Sequence, residues 1–401
     1  MSVLYEGKPY TIERWTEIML SANNVTAIIF EEETGGHEFG PAFWDGIKDF
    51  MAVIPSDELP DPIFYPLTLT KLVINGEFGP LEGLPDSLTS LTIWSNEWNL
   101  PIVPGTLPKG LKRLKFGDGF NQPIADGTFP ETLERVNFGF SFNQPLTPAN
   151  LPVSITRVRL NELYDHQLGS CAQHWRTLRY DAILELMPGL VCQALTNLST
   201  KFADAAQIIT ANFPTLQTLH IVTSLRIGVN KYIPLDLSTL PASLHELTIS
   251  TNGYYSAFPQ GLDTLEVNGN DPNFRLAPGI LPPRLRSLTL NYYHHQFEVD
   301  HFPSTLTSLT LGDVKKWPYP NQLPTTLRSL ILRINNHNLM RHTPLYLATL
   351  TLTRIHLNYT SFSLDLYRIA DTLFLRCQGT LFDRLPTCGF ISSQKIKSIV
   401  P

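Results

Sequence analysis

Apolar residues recur along this chain in one short pattern, P-x-x-L-x-x-L-x-L, whose last positions alternate between apolar and polar. Side chains that alternate with a period of two lie on opposite faces of a β-strand, so each copy predicts one short strand. Most anchoring prolines follow one another at intervals of 18 to 23 residues. The clear copies start at Pro85, Pro108, Pro130, Pro152, Pro241, Pro259, Pro282, Pro303 and Pro324, and weaker ones at Pro66, Pro214 and Pro344. The chain is therefore built from tandem copies of one structural unit.

The spacing of these strands predicts how they pair. A tight hairpin cannot use up about twenty residues, so successive strands should be parallel, with loops and extended segments forming an outer wall. Proline suits that wall because it lacks the N–H that a central strand needs. We predict an α/β leucine-rich-repeat solenoid, right-handed, with a parallel β-sheet on its concave face. Core positions include Leu88, Leu91, Ile93, Leu111, Leu114, Phe116, Leu285, Leu288 and Leu290.

An aromatic residue follows many of the strands at a nearly fixed distance from the anchoring proline. Phe78, Phe120, Phe142 and Tyr164 lie twelve residues after their prolines, and Trp98 lies thirteen after its own. Successive turns should stack these rings into one column that fills the corner of the core opposite the strands. Asn121 and Asn143 follow two of the rings, and we expect their side chains to bond backbone from turn to turn.

These motifs resemble a known family. The pattern LPxxLxxLxFG followed by FNQPI (120–124) or FNQPL (142–146) is similar to the FNIP repeat, a leucine-rich-repeat variant. In looser form the resemblance covers residues 63 to 355, although the F-N-Q-P element is lost past residue 213. It implies a protein-interaction module of the kind found in dictyostelid amoebae and in large DNA viruses that infect amoebae. Some members carry an N-terminal F-box, whose Leu-Pro opening residues 1–62 do not show.

The ends of the chain depart from the repeat and predict caps, without which the terminal turns would expose the core. Residues 10–20 fit a short amphipathic helix, 24–30 a strand and 43–54 a second helix, which together predict an α/β cap. At the other end, residues 371–377 fit a last degenerate strand.

A gap of 62 residues separates Pro152 from Pro214, close to three periods of the repeat. Residues 175–180 fit a degenerate strand, and apolar residues in 190–211 recur at helical spacing. We predict two irregular turns here, one with a helix in place of the outer loop. The predicted segments are 1–62 (N-terminal α/β cap), 63–168 (FNIP-type repeats), 169–212 (irregular helical turns), 213–355 (divergent leucine-rich repeats) and 356–401 (C-terminal cap).

Composition narrows the classes of function. A hydrophobic content of 43% supports a packed core, and a net charge of −6 gives no general reason to bind nucleic acid or membrane. The first residues lack the basic flank and apolar core of a signal peptide. Cys171, Cys192, Cys377 and Cys388 lack the spacing of a zinc site or a disulfide framework. We expect buried, reduced thiols and a cytoplasmic protein, in the host cytoplasm or the virion if it is viral.

No catalytic constellation is recognisable in the sequence. There is no GxxxxGK[ST] phosphate loop and no GxSxG elbow. The densest histidine cluster comprises His294, His295 and His301, near Glu298 and Asp300, but it lacks the paired spacing of metal ligands. We expect a solvated polar loop there, and we predict no enzyme activity, no cofactor and no metal.

Charge at the outward positions of the strands suggests a binding surface. Five, seven and nine residues after the early prolines, every charged residue is basic, and the acidic residues of these turns fall at other phases. The predicted patch on the concave face comprises Lys71, Arg113, Lys115, Arg135, Arg157 and Arg159. It would bind a protein partner with an acidic surface. Two alternatives stay open: the patch is an ordinary solvated face, or neighbouring loops supply counter-charges.

The sequence thus favours a non-enzymatic scaffold for protein–protein interaction that uses one face of a repeat solenoid. One alternative is a substrate adaptor for a ubiquitin ligase. Another, which follows only from where the resembled family occurs, is a structural component of a large virus particle.

Overall fold

The computed structural model describes the backbone of most of the repeat region and parts of both ends. The described residues are 2–3, 27–30, 49–54, 69–76, 79–183, 186–201, 212–222, 237, 240–250, 257–269, 275–314, 318–334, 353–359, 362–370, 373–380 and 387–392. Two short 3-10 helices, Ser170–His174 and Pro320–Gln322, are the helical segments within these residues. The chain forms two compact units, Met1–Thr200 (unit 1) and Lys201–Pro401 (unit 2).

Unit 1 adds strands one turn at a time. Its strands are β1 (Ser2–Val3), β2 (Ala27–Phe30), β3 (Asp49–Ile54), β4 (Lys71–Gly76), β5 (Ser90–Ile93), β6 (Arg113–Lys115), β7 (Arg135–Asn137), β8 (Arg157–Leu160), β9 (Thr177–Ile183) and β10 (Asn197–Lys201). From β1 to β9 each strand pairs in parallel with the next. The predicted parallel order is confirmed for these strands.

Unit 2 begins with the same arrangement. Its strands are β11 (Thr218–Val222), β12 (Glu246–Ser250), β13 (Thr264–Val267), β14 (Ser287–Tyr293), β15 (Ser308–Val314), β16 (Ser329–Ile334), β17 (Arg354–Tyr359), β18 (Phe362–Ala370), β19 (Leu373–Thr380) and β20 (Thr387–Ser392). Pairing is parallel from β11 to β17 and antiparallel from β17 to β20. The antiparallel end follows from its short links, since only two residues separate β17 from β18 and β18 from β19.

The alternation of apolar and polar residues sets which face of each strand is buried. In β5, Leu91 and Ile93 are fully buried, whereas Ser90 and Thr92 lie on the exposed face. All nine core positions predicted from the repeat are at most 1% exposed. The apolar row of each turn therefore faces the core, and the polar row between forms a solvent-exposed sheet face.

An aromatic column runs through unit 1, as the spacing of the rings predicts. Ring centroids lie 5.6 Å apart for Trp98 and Phe120, 6.1 Å for Phe120 and Phe142, and 6.2 Å for Phe142 and Tyr164, with the planes nearly parallel. Each of these rings is buried, so the column fills the core. The side chain of Phe78 lies outside the described residues.

A ladder of asparagines ties the same turns together. The Oδ1 of Asn99 accepts the N–H of Asn121 at 2.8 Å, and the Oδ1 of Asn121 accepts that of Asn143 at 2.9 Å. The Oδ1 of Asn143 accepts the N–H of Asp165 at 3.1 Å, which continues the series by one turn. Each bond satisfies a backbone donor outside the sheet. The predicted bonding from turn to turn is confirmed.

A second ladder, not expected from the sequence, uses hydroxyl groups two residues after the anchoring proline. Thr132 donates to the carbonyl oxygens of Lys109 and Leu111 at 2.6 and 2.9 Å. Equivalent hydroxyls donate to carbonyls of the preceding turn, from Ser87, Ser154, Ser243, Thr305 and Thr326. These bonds give the outer wall a polar connection that complements the strand ladder.

Two helix predictions are wrong where the structure describes them. Residues 49–54, within the predicted second helix, form β3, and residues 197–201, within the predicted helical stripe, form β10. Strand pairing outweighs the helical spacing of the apolar residues: β3 is bonded to strands on both sides, and burial alternates along β10. The helix predicted over 10–20 lies outside the described residues.

Three strand predictions hold in part or whole. The strand predicted over 24–30 is present at Ala27–Phe30, and that over 175–180 is present as β9. The strand predicted over 371–377 is present as β19, but it is not the last, and it pairs antiparallel on both sides.

The core position Leu114 provides a test of the repeat packing. Its side chain is 1% exposed, whereas Leu163 on the same unit is 47% exposed. We expect Leu114→Ala to lower the free energy of unfolding by roughly 2–5 kcal/mol because it leaves a cavity. The matched Leu163→Ala change should cost less than about 0.5 kcal/mol. Urea unfolding of both variants measures the difference, and equal losses would contradict this packing.

The asparagine ladder is tested at Asn121. Asn121→Ala removes the oxygen that accepts the N–H of Asn143 and the amide of Gln144. We expect a loss of about 1–3 kcal/mol in unfolding free energy, because part-buried donors lose their partner. Asn121→Asp keeps an acceptor oxygen in the same place and should lose clearly less in the same urea titration. A loss as large as that of the alanine variant would show that the acceptor is not what matters.

Candidate functional site

Three arginines occupy equivalent positions on consecutive strands of unit 1. Arg113 on β6 is in register with Arg135 on β7, which is in register with Arg157 on β8. All three side chains are exposed, since they alternate with the buried residues Leu114, Val136 and Val158. Neighbouring strands lie about 4.8 Å apart, so each arginine is the direct neighbour of the next. We call these three residues the arginine row.

The arginine row lacks internal compensation within the part of the chain that the structure describes. None of its three guanidinium groups forms an ion pair or a side-chain hydrogen bond with a described residue. Glu134 lies beside Arg135 in the sequence, but its Oε1 pairs at 3.9 Å with Lys112 Nζ and not with an arginine of the row. The row thus presents its positive charge to solvent.

Both burial and neighbouring charge act on the arginine at the centre of the row. Partial burial and the positive charges of Arg157 and Arg113 lower the pKa of the Arg135 guanidinium, while Glu134 acts in the opposite direction. Arginine stays protonated at neutral pH despite such a shift. The lowered pKa therefore reports that the charged form of Arg135 is held at a cost.

Two further predicted residues form a second column beside the row. Lys115, Asn137, Arg159 and Arg179 are in register on β6 to β9. Lys115 Nζ lies 5.4 Å from the centroid of the Trp94 ring, a cation–π contact with an indole that is 51% exposed. Lys115 therefore brings both a charge and an exposed aromatic ring next to the row.

Arg159 has a counter-charge that sequence reasoning missed. Asp181 Oδ2 lies 3.1 Å from Arg159 Nη2, and its Oδ1 lies 3.2 Å from Arg179 Nε. Asp181 lies on β9, in a turn without an anchoring proline. The spacing from the prolines therefore could not predict which way its side chain points. Its side chain divides one negative charge between two arginines, and it pairs with none of the three arginines of the row.

Lys71 lies apart from the other predicted residues. It begins β4 and is in register with Ser90, which in turn is in register with Arg113. Two strand spacings, about 10 Å, therefore separate Lys71 from the arginine row. The structure brings Arg113, Arg135 and Arg157 together with Lys115 beside them, and it places Lys71 at a distance.

The exposed sheet face of unit 2 has a different character. Ser287, Ser308 and Ser329 are in register on β14 to β16, and Thr289 and the buried Thr310 form the next column. Neutral hydroxyls dominate this part of the face, so it offers no comparable concentration of charge.

The histidine cluster of unit 2 is partly a core feature and not a solvated loop as expected. His301 is 1% exposed, and its Nδ1 accepts the N–H of Glu298 at 3.1 Å. Burial and the charge of Arg275 lower the pKa of His301, while Glu298 opposes them. Within the described residues, no group of three or more histidine, cysteine or acidic side chains is placed to hold a metal ion.

The two described thiols are structural. Cys171 and Cys192 are free and buried in unit 1. Burial raises the pKa of the Cys192 thiol to about 11, so it is protonated and unreactive at neutral pH. No helix among the described residues has the length and apolar character needed to cross a bilayer.

The fold is a repeat solenoid of the leucine-rich-repeat type. Each turn supplies one strand, equivalent residues of successive turns lie in columns, and side-chain hydrogen bonds link the turns. Three segments of the chain match the family model described as FNIP Repeat, over residues 79–119, 98–141 and 272–314. The last match falls in the region where the F-N-Q-P element is lost. The family resemblance seen in the sequence is confirmed.

A solved structure supports the same fold. CroV588, a giant-virus protein described as a novel circular LRR protein, matches 78% of this chain with a TM-score of 0.56 and 22% sequence identity. The chain spans 47% of the length of that protein. No curated protein matches the chain in sequence.

The buried His301 predicts a pH dependence of stability. Its pKa is lowered on folding, so it contributes fully above the unfolded value of about 6.5, and this contribution is lost as the pH falls below that value toward the folded pKa. We expect His301→Asn to lose less unfolding free energy between about pH 7 and 5 than the unchanged protein does. His174 in unit 1 is exposed, and the His174→Asn variant is the matched control. Identical profiles for all three proteins would contradict the assignment.

Proposed function

We propose that the chain is a non-enzymatic scaffold that binds an acidic segment of a protein partner on the exposed sheet face of unit 1. Solenoids of this type generally offer an extended face for protein binding. The observation that carries the proposal is the arginine row, three cations in register without a partner among the described residues. Binding of an acidic segment relieves the mutual repulsion of these cations. A solvated face of mixed charge would have no such repulsion to relieve.

The residues beside the row suit a peptide as well. Asn137 lies between Lys115 and Arg159 in the second column and offers both a donor and an acceptor to a peptide backbone. Trp94 offers an exposed apolar surface of the kind enriched at the centre of protein interfaces. Charge, hydrogen-bonding capacity and apolar surface therefore occur together on this face.

The proposal is tested by charge reversal at the centre of the row. We expect Arg135→Glu to weaken binding of a fluorescent glutamate-rich peptide by about tenfold at low salt, because it removes one attraction and adds one repulsion. Lys109→Glu makes the same change of charge at an exposed position off the strands and should leave the affinity nearly unchanged. Fluorescence anisotropy at low and high salt gives both affinities. Salt-insensitive binding, or equal effects of the two variants, would reject the face as the recognition surface.

A further inference from the structure

We propose that the segment recognised by the arginine row carries a phosphorylated serine or threonine, with the phosphoryl group seated over Arg135. The inference rests on the proposed function and narrows its partner from any acidic segment to a phosphopeptide. It follows from the number of donors, the charge and the length of the row.

The donor geometry exceeds what one carboxylate can use. Each guanidinium is a planar fork with five N–H donors, and the side chains of Arg113, Arg135 and Arg157 make no hydrogen bond to a described residue. A carboxylate has two oxygens and is matched by one fork. A phosphoryl group has three terminal oxygens, so it can accept from the central fork and from a neighbouring fork about 4.8 Å away.

The local charge also favours a dianion. Lys112 is the cation that lies within ion-pair distance of Glu134, and Asp181 contacts Arg159 and Arg179, so neither carboxylate forms an ion pair with an arginine of the row. Three positive charges remain in the row, with Lys115 on the adjacent column. A phosphoryl group of charge near −2 at neutral pH compensates more of this charge at one point than a side-chain carboxylate does.

The length of the row distinguishes a single phosphoryl group from a long polyanion. Neutral residues bound the row on both sides, because Ser90 is in register with Arg113 and Thr177 is in register with Arg157. The row therefore spans two strand spacings, about 10 Å. A nucleic acid carries charge along its whole length and would require a longer basic stripe. One phosphorylated side chain, by contrast, can be bound by the three guanidinium groups of the row.

The experiment compares three peptides that differ at one position. Short Gly/Ser/Asp-rich peptides carrying serine, glutamate or phosphoserine at the centre are titrated against the full chain at one ionic strength. We expect the phosphoserine peptide to bind about tenfold tighter than the glutamate peptide, with the serine peptide weakest. Its affinity should fall between about pH 7 and 5.5, because the phosphoryl group takes up its second proton near pH 6. The glutamate peptide should show no such fall, since its carboxylate titrates near pH 4.3.

Arg135→Lys is the matched variant, because it keeps the charge and removes the fork. It should lose most of the preference for phosphoserine over glutamate while still binding both peptides, and far-UV circular dichroism should show an unchanged fold. Equal affinity of the unchanged protein for the phosphoserine and glutamate peptides would overturn the inference and leave the proposed function standing. Failure of both peptides to bind would overturn both. Displacement of the phosphopeptide by a single-stranded oligonucleotide at lower concentration than by the free phosphopeptide would also overturn the inference in favour of a nucleic-acid surface.

Discussion

The backbone hydrogen bonding between parallel strands in strict register is the constraint on which the other features of this protein depend. Because Leu114 lies opposite Val136, and Val136 opposite Val158, whatever residue a turn carries at a given phase meets its counterpart on the next turn. The same rule stacks the rings of Phe120 and Phe142. It also places each asparagine oxygen against the next turn's N–H. Core, ladders and exposed face are thus columns generated by one register.

Much of this fold could be predicted from the sequence, because the repeat makes phase readable without knowing the structure. The proline register was sufficient to assign Leu88 and Leu285 to the core, and to place Arg113, Arg135 and Arg157 side by side. It failed where the proline is missing. Residues 197–201 have apolar spacing that fits either a helix or a strand, and only pairing with neighbouring turns decides between them. Asp181 was missed for the same reason, since a turn without an anchor gives no phase.

The repetition of the arginine row is unfavourable to the fold, unlike that of the apolar, aromatic and asparagine columns among the described residues. Stacked phenylalanines gain contact from each added turn, and stacked hydroxyls or asparagines gain a hydrogen bond, whereas stacked guanidinium groups gain only repulsion. Asp181 relieves this for Arg159 and Arg179 one column away. The contrast separates columns whose contacts stabilise the fold from a column whose mutual repulsion motivates the proposed binding of an acidic partner.

The asparagine ladder has a consequence for how such a chain can change its length during evolution. In this ladder the Oδ1 of an asparagine accepts a hydrogen bond from the following turn, and its backbone N–H donates one to the preceding turn. The bonds therefore all run in one direction along the chain. When one whole turn is duplicated or lost, each asparagine oxygen still meets the backbone N–H of the turn that follows it, so the ladder stays complete. Insertion of a single residue within a strand moves the later residues of that strand to the opposite face and breaks its register with both neighbouring turns. The outer loops tolerate such a change, since most intervals between anchoring prolines vary from 18 to 23 residues. One complete turn is therefore the increment by which a solenoid of this kind can lengthen or shorten without losing these bonds.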